Sequence, residues 1–274
     1  MKGRVLIIAG SDSGGGAGIQ ADIKTVTMLD AFAATAVTAL TAQNTLGVFG
    51  VLPIAPEFIR QQIEVVLDDI GADSIKTGML HDSGVIEAVA SVLAARAASI
   101  PLVVDPVMVA KGGAPLIEPG AIEALKTLLV PRAAVLTPNL PEAEILLGRT
   151  IDSLGAMQSA AESLLALGCR AVLLKGGHLA GDTVYDVLAT ASGPRVWQSP
   201  RIDSRHTHGT GCTLASAIAA SLAQGLLVEA AVERAREYVR RAIASAPGFG
   251  RGHGPLDHAH PLRQVTDSRL GRFS

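Results

Sequence analysis

Apolar and polar positions alternate along this chain in two repeating patterns. Residues 5–9 are apolar throughout, which is typical of a strand buried on both faces of a parallel sheet. In the next segment Ile19, Ile23, Val26 and Leu29 recur at helical spacing and predict an amphipathic helix. Strand and helix patterns alternate as far as residue 244. Repeated strand–helix units predict an α/β fold with a central, mainly parallel sheet and helices on both faces.

The remaining elements follow from the same patterns. Further strands are predicted at residues 33–42, 74–78, 102–104, 133–136 and 171–175, and an edge hairpin at residues 183–189 and 195–198. Further helices are predicted at residues 56–70, 83–98, 119–129, 141–147, 153–167, 213–223 and 228–244. The stretch after Pro247 is rich in glycine, histidine and proline and is expected to be a tail. No internal repeat, long linker or break in composition divides the chain, so one domain is predicted.

Composition narrows the class of protein. The 274 residues are 49% hydrophobic, enough to bury a full core, and carry a net charge of −2 with 3% aromatic residues. Without a basic stripe, nucleic acid is not an expected partner. The apolar run before Gly10 is too short for a signal peptide or a membrane span. The two cysteines, Cys169 and Cys212, suit a reducing compartment. The sequence therefore predicts a cytoplasmic protein with no membrane partner.

A glycine turn precedes one of the predicted helices. Gly209, Thr210 and Gly211 leave backbone N–H groups unpaired at the positive end of the helix dipole, which favours a phosphoryl group. Cys212 follows in the first helical turn, where a thiol ionises more easily. The alternative is an ordinary turn before a packed helix, with Cys212 as a small core residue. This stretch alone favours neither interpretation.

Polar residues also follow the predicted strands directly. They are Gly10-Ser11-Asp12, Gln43-Asn44, Lys76-Thr77, Asp105, Thr137 with Asn139, and Lys175. Each one could be a turn or a helix cap, but ligands bind beyond the carboxyl ends of parallel strands, so together they predict a binding site. The chain has no Walker A motif. A dinucleotide fingerprint at residues 16–21 is weak, because the second strand ends in Gln43 where an acidic residue would hold a ribose.

These stretches carry a resemblance to a known family. They read GSDSGGGAGIQADIK (10–24), TALTAQNT (38–45), IKTGML (75–80), DPVMVAKGG (105–113), TPNLPEAE (137–144), LLKGGH (173–178) and HGTGCTLASAI (208–218). In this order they resemble the ribokinase superfamily and, within it, the hydroxymethylpyrimidine and phosphomethylpyrimidine kinases of thiamine biosynthesis. The loop at residues 12–16 departs from the family's usual Asp-Pro-Ser-Gly-Gly and reads Asp-Ser-Gly-Gly-Gly.

The resemblance implies a fold and an activity. The expected fold is a ribokinase-like three-layer sandwich, with one kinase domain over residues 1–265 and a C-terminal tail at residues 266–274. The expected reaction moves the γ-phosphoryl group of ATP, with Mg²⁺, to 4-amino-5-hydroxymethyl-2-methylpyrimidine and then to its monophosphate. A homodimer is expected from the family.

On the ATP side, phosphoryl transfer needs positioning and charge neutralisation. The backbone of Gly209, Thr210 and Gly211 is expected to hold the transferred group, and Lys175 to neutralise the phosphates. The resemblance adds further ATP-binding residues: Asp105, Thr137, Asn139, Lys175 and Thr210. Asn139 and Glu142 resemble the superfamily's Asn-x-x-Glu motif, which organises Mg²⁺ through water. The alternative is that this pair simply caps the helix that follows.

On the acceptor side, the resemblance places Cys212 where sugar kinases of the superfamily carry an aspartate base, so Cys212 is the expected general base. The amide of Gln43 suits the ring nitrogen and amine of an aminopyrimidine. Gly10, Met79 and Val107 are expected beside the same ring, although Met79 and Val107 equally suit core packing. Asp22 is expected either to hold the substrate hydroxyl or to balance the dipole of its own helix.

Two alternative functions and two further local features are also predicted. A pyridoxal or pyridoxine kinase shares the fold and, in some members, the Gly-Thr-Gly-Cys stretch. A non-catalytic nucleotide-binding module is the third functional class. The pairs His206/His208 and His258/His260 lack the cysteine or carboxylate company of a metal site and are expected to be loop histidines. The glycines at 112 and 113 predict a lid at residues 110–114.

Overall fold

Nine strands make up one sheet in the part of the chain that this computed structural model describes, residues 1–109 and 116–263. They are β1 (Arg4–Asp12), β2 (Phe32–Asn44), β3 (Gly47–Pro53), β4 (Ser74–Thr77), β5 (Leu102–Val104), β6 (Val135–Leu136), β7 (Ala171–Lys175), β8 (Thr183–Thr190) and β9 (Gly193–Pro200). The strand order is β3-β2-β1-β4-β5-β6-β7-β8-β9. Neighbours from β2 to β7 in this order are parallel, whereas β3, β8 and β9 are antiparallel to theirs.

The helices cover both faces of this sheet. They are α1 (Gly18–Met28), α2 (Pro56–Asp69), α3 (Ser83–Arg96), α4 (Pro119–Ala124), α5 (Leu140–Leu147), α6 (Leu154–Leu165), α7 (Thr210–Ala223) and α8 (Val228–Ala244). A π-helical turn at Leu125–Leu129 and a 3-10 turn at Val130–Arg132 continue α4. None of the described helices is both long and apolar enough to cross a membrane.

The residues of β1 show how the layers form. Successive side chains of a strand point to opposite faces. Accordingly, Val5, Ile7 and Ala9 pack in one core with α1, α7 and α8, whereas Leu6 and Ile8 pack in the other core with α2 to α6. All five side chains are almost completely buried. The predicted three-layer α/β sandwich is confirmed.

The chain changes direction within the sheet next to β1. It passes from β1 through α1 to β2 on one side, and then returns through β3 and α2 to β4 on the other side of β1. At such a switch point the two connections leave on opposite faces, which opens a crevice beyond the carboxyl ends of β1 and β4. The first turn of α7 lies at the same end of the sheet, because α7 packs against β1, β4 and β5.

Three sequence predictions need correction. The strand β3 was not predicted, because this exposed edge strand lacks a buried face and its alternating pattern. The helix α7 begins at Thr210, three residues earlier than predicted, because the glycine turn itself supplies its first residues. The stretch after Pro247 is a packed segment as far as residue 263, with buried Leu256 and His258. The predicted lid at 110–114 and the tail at 266–274 lie outside the described residues.

Candidate active site

A cavity of about 710 Å³ opens at the carboxyl ends of the parallel strands. Its wall contains the predicted residues Gly10, Gln43, Met79, Asp105, Val107, Asn139, Glu142, Lys175, Gly209, Thr210, Gly211 and Cys212. Two other predicted residues, Asp22 and Thr137, are fully buried and lie behind this wall. The structure therefore brings together side chains that the sequence spreads over more than two hundred positions.

The glycine turn sits directly against the first loop of the chain. Gly209 is the N-cap of α7, has φ 82° and ψ 6°, and no side chain caps the helix. A Cβ on Gly209 would lie 1.9 Å from the carbonyl oxygen of Gly16, so only glycine fits here. Thr210 turns its hydroxyl away from the helix end and donates to the carbonyl of Thr207 at 2.7 Å. The N–H of Thr210 donates to the same carbonyl at 3.3 Å, whereas no described group accepts from the N–H groups of Gly209 and Gly211, so these two are available to an anion.

Beside this turn lies an ion pair between Lys175 and Asp105. The lysine Nζ is 3.0 Å from Asp105 Oδ1, which also accepts a 3.0 Å hydrogen bond from the hydroxyl of Thr137. A Cβ on Gly211 would lie 3.2 Å from the same Nζ. Burial lowers the pKa of Lys175, but the charges of Asp105 and Glu142 more than offset this and raise it. Lys175 is therefore a fixed cation next to the glycine turn.

Asn139 and Glu142 form a capping box at the start of α5. Asn139 N donates to Glu142 Oε2 at 2.8 Å, and Glu142 N donates to Asn139 Oδ1 at 2.9 Å. The helix cap suggested by the sequence is thus present. Glu142 also lines the cavity, where burial raises its pKa to about 7, against the lowering effect of Lys175. A cation in the cavity would stabilise the ionised form of Glu142.

The opposite wall is organised by a histidine that the sequence analysis assigned to a loop. His208 Nε2 lies 2.9 Å from Asp12 Oδ2 and 3.2 Å from Gln43 Nε2, and the other amide atom of Gln43 accepts from Thr41 at 3.1 Å. Asp12 also accepts backbone hydrogen bonds from the glycine loop that follows it. Burial alone raises the pKa of Asp12, but His208 and these N–H groups lower it below its usual value. His208 was missed because its partners lie far away in sequence.

Between the two walls, the cavity is apolar. Met79 is buried, and its sulfur would lie 3.1 Å from a Cβ placed on Gly10, so glycine permits this close approach. Val107 is half-buried and lines the same part of the cavity. Met79 therefore packs in the core and also lines the cavity, so the two roles suggested by the sequence are compatible.

Asp22 occupies a different position from either that was predicted. Its Oδ2 is 2.8 Å from Lys76 Nζ, its Oδ1 accepts a 2.7 Å hydrogen bond from Ser216, and both members of the ion pair are fully buried. The contact arises because α1 packs against α7. Asp22 does not line the cavity and lies beyond the first turn of α1. Asp22 therefore binds Lys76 and Ser216, whereas the sequence predicted a contact with a substrate hydroxyl or with the start of its own helix.

The thiol of Cys212 is half-buried and lines the cavity. Burial, with smaller contributions from Asp22 and Asp105, raises its pKa to about 12, against the lowering effect of Lys76. The easier ionisation expected at a helix N-terminus is therefore outweighed in the ligand-free protein. Burial thus favours the neutral thiol over the thiolate.

The far end of the cavity was not predicted at all. It is an apolar slot of Val184, Ile202, Leu214, Val239 and Ile243. An ion pair between Arg236 and Asp186, 2.7 Å apart, borders the slot. These residues come from four separate parts of the chain, and no local pattern in the sequence links them.

Comparisons with known proteins identify the family of the chain. A family model described as phosphomethylpyrimidine kinase matches residues 12–257. The hydroxymethylpyrimidine/phosphomethylpyrimidine kinase of Bacillus subtilis is 49% identical over 256 residues, which are 93% of this chain and 94% of that protein. The thiamine biosynthesis bifunctional protein ThiED of Geobacter sulfurreducens is 52% identical over 267 residues, 97% of this chain but 54% of that protein.

A solved structure extends the likeness to the fold. Pyridoxal kinase of Bacillus subtilis, in an ADP complex, superposes with a TM-score of 0.88 at 36% identity and covers 96% of this chain and 100% of its own. The family predicted from the motif stretches is thereby confirmed. With a family match over most of its length and a relative of similar size at 49% identity, the chain belongs to the phosphomethylpyrimidine kinase family.

Proposed function

We propose that this protein uses ATP to phosphorylate 4-amino-5-hydroxymethyl-2-methylpyrimidine and then its monophosphate, in thiamine biosynthesis. One observation carries the proposal: a single cavity places an open helix N-terminus and a fixed cation, Lys175, opposite the amide of Gln43. The first two groups suit a phosphate and the third suits an aminopyrimidine. Membership of the family and the printed names of the relatives support the same assignment.

The donor nucleotide fits the end of the cavity that α7 and α8 border. The N–H groups of Gly209 and Gly211, on either side of Thr210, hold the γ-phosphoryl oxygens, and Lys175 neutralises the charge that builds up between the phosphates. Asp105 fixes the lysine, and Thr137 fixes Asp105 from behind the cavity wall. The adenine ring would then enter the apolar slot, since a flat, weakly polar ring gains most from an apolar surface.

The donor side also fits a magnesium ion. Glu142 is a buried acid that faces the cavity, and burial raises its pKa although Lys175 lowers it, so a second cation would stabilise its ionised form. Mg²⁺ keeps several waters and binds through one or two carboxylates, so Glu142, with Asn139 beside it, would hold the ion through water. Such an ion neutralises phosphate charge during the transfer.

The acceptor fits the side bordered by β2. The amide of Gln43 offers one acceptor and two donors, which match an amine and the ring nitrogen next to it. Met79 and Val107 cover the faces of the ring, and Gly10 leaves room for it. His208 Nε2 lies between the amide of Gln43 and the carboxylate of Asp12, and packing against it helps to position Gln43.

The first transfer converts an alcohol into a phosphate ester. The hydroxymethyl oxygen forms a bond to the γ-phosphorus, the bond from that phosphorus to the bridging oxygen breaks, and ADP leaves with the electron pair. The hydroxyl proton has to be accepted, and we assign this role to Cys212 as general base. In the second transfer the acceptor is a phosphate oxygen that is already ionised, so no base is needed.

A paired assay tests the proposal. The purified protein is incubated with MgATP and either the hydroxymethylpyrimidine or pyridoxal, and the products are identified by mass. We expect a strong preference for the pyrimidine, with monophosphate and then diphosphate appearing. Turnover of neither compound would exclude the proposed activity and favour a non-catalytic nucleotide-binding module.

Pyridoxal kinase is the second candidate, because the solved pyridoxal kinase is so close in fold. Its substrate lacks the amine next to a ring nitrogen that Gln43 suits. Turnover of pyridoxal alone in the paired assay would establish this alternative, and Gln43 would then have only a packing role.

We also propose a cytoplasmic homodimer. Its two cysteines are free, as expected in a reducing compartment. The edge strand β3 exposes Phe49, Val51 and Leu52, which a second copy would cover. Sedimentation of the wild-type protein and of Phe49→Ser tests this; a monomeric wild-type protein at micromolar concentration would contradict it.

A further inference from the structure

A buried ion pair contacts α7 one helical turn after the proposed catalytic thiol and has no role in the reaction described so far. Lys76 and Asp22 are both fully buried, and their charged atoms are 2.8 Å apart. Burying two charges is costly unless they are paired and hydrogen-bonded, and it is weak evidence for stability by itself. The pair therefore calls for a function other than holding the fold together.

The helix α7 connects this pair to Cys212. Ser216 lies four residues after Cys212, so the two side chains project from the same face of the helix, one turn apart. Ser216 donates to Asp22 at 2.7 Å, and Asp22 accepts from Lys76. Lys76 comes from β4, against which α7 packs, and it lines the same cavity as Cys212. The ammonium group is thus held beneath the first turn of α7.

The bonding of Lys76 leaves it free to act on the thiol. An ammonium group has three N–H donors. Among the described residues, Asp22 is the one that accepts a hydrogen bond from Nζ. A Cβ on Gly78 would lie 2.9 Å from Nζ, so the glycine leaves room for the ammonium group at the end of β4. The ammonium group is therefore fixed on one side and retains its charge toward the other.

Four charged groups face Cys212, each from a different element. Lys76 on β4 and Lys175 on β7 favour the thiolate, whereas Asp22 on α1 and Asp105 after β5 disfavour it. Lys175 is committed to Asp105 and to the phosphate side of the cavity. This leaves Lys76 as the cation on the acceptor side.

We propose that Lys76, held in place by Asp22 and Ser216, is a positioning residue that stabilises the thiolate of Cys212. For its catalytic consequence the inference rests on the proposed function. The thiolate is the form that can take the hydroxyl proton, and it arises when the thiol loses its own proton to water. Sγ then accepts the proton of the hydroxymethyl group as the new oxygen–phosphorus bond forms. Asp22 has two effects, because it fixes the cation and also opposes the thiolate.

The first test needs no substrate and no turnover. Iodoacetamide reacts with thiolates, so the rate of alkylation of the Cys212 peptide, followed by mass at a series of pH values, reports its ionisation. Asp22→Asn removes the opposing charge and leaves an amide oxygen to accept from Lys76, whose charge Asp105 and the Cys212 thiolate still favour. Lys76→Met combined with Asp22→Asn removes both charges and avoids an unpaired buried carboxylate. The two variants differ only at Lys76.

The three proteins should differ in how readily Cys212 is alkylated. At each pH below the midpoint, Asp22→Asn should be alkylated faster than the wild type. The double variant should be alkylated at least about tenfold more slowly than Asp22→Asn, which corresponds to a pKa about one unit higher, as is usual when an opposite charge nearby is removed. Equal rates in the two variants would overturn the proposal. Thermal unfolding of each variant verifies that a folded protein is compared, and Lys76→Gln with Asp22→Asn substitutes for the double variant if that one does not fold.

The second test separates a role in ionisation from a role in folding. Only the first phosphorylation removes a proton from its acceptor. We expect the double variant to form the monophosphate at least about tenfold more slowly than Asp22→Asn, with the step to the diphosphate changed less than about threefold. Equal losses in both steps would refute the catalytic consequence. If no variant and no wild-type protein turns over the pyrimidine, the proposed function fails while the alkylation result still stands.

Discussion

Replacing Gly209 by alanine tests whether the contact between the glycine turn and the first loop positions the phosphoryl group. Gly209 has φ 82°, and its Cβ would lie 1.9 Å from the carbonyl oxygen of Gly16 and 3.2 Å from Cα of Ala17. These are backbone atoms, so no side chain can rotate to make room. Restoring an ordinary contact requires the turn and the loop to separate by about 1.5 Å.

The expected loss has two parts. The left-handed backbone costs alanine roughly 1–2 kcal/mol in stability. The displacement moves the N–H groups of the phosphate site, and a misplacement of about 1 Å costs on the order of 10²-fold in rate. We therefore expect kcat to fall about 10²-fold or more, with a smaller change in the KM for the pyrimidine.

Gly225 provides a matched control. It has φ 83°, nearly the same as Gly209, but a Cβ there would meet nothing within 4 Å, and the residue does not line the cavity. Gly225→Ala should lower the melting temperature by roughly 2–4 °C for each kcal/mol lost and leave kcat within about twofold. Steady-state kinetics and thermal unfolding are measured on both variants. If Gly209→Ala keeps a kcat within about threefold of Gly225→Ala, the argument from the contact is wrong.

Three further changes address the two walls of the cavity. Gln43→Ala should raise the KM for the pyrimidine by about 10- to 100-fold, the usual effect of losing buried hydrogen bonds, and should affect pyridoxal less; equal effects on both substrates would contradict the assigned role. Lys175→Met should lower kcat by about 10²- to 10³-fold, because it removes a preorganised cation. The double variant Lys175→Met with Asp105→Asn checks that this loss does not come from the unpaired carboxylate of Asp105. Since burial raises the pKa of Glu142 to about 7, affinity for Mg²⁺ with ADP, measured by calorimetry, should rise between about pH 6 and about pH 8, and Glu142→Gln should remove this dependence. The same raised pKa means that the ligand-free folded protein binds a proton that the unfolded chain releases. Its free energy of unfolding should therefore fall as the pH rises from the ordinary value of 4.5 to about 7, a slope that Glu142→Gln should reduce.

Much of the fold was predictable, because strands buried on both faces are visible as short apolar runs. Residues 102–104 and 171–175 were predicted with the bounds that the structure has. The edge hairpin at 183–200 was also predicted in type and place. The strand β3 was missed, since an exposed edge is stabilised by backbone pairing with β2, and such pairing leaves no apolar pattern.

The sequence by itself determined which residues end the parallel strands and where a glycine turn opens a helix. These are local features, and parallel strands bring their carboxyl ends to one edge in any arrangement. Only the tertiary structure decided which side chains pair there. Asp22 meets Lys76 across 54 positions, and His208 meets Asp12 across 196. Neither contact has a periodic signature, because each depends on how helices dock on the sheet. The pKa of Cys212 was decided in the same way, since burial, with the charges of Asp22 and Asp105, outweighs its position at the start of a helix.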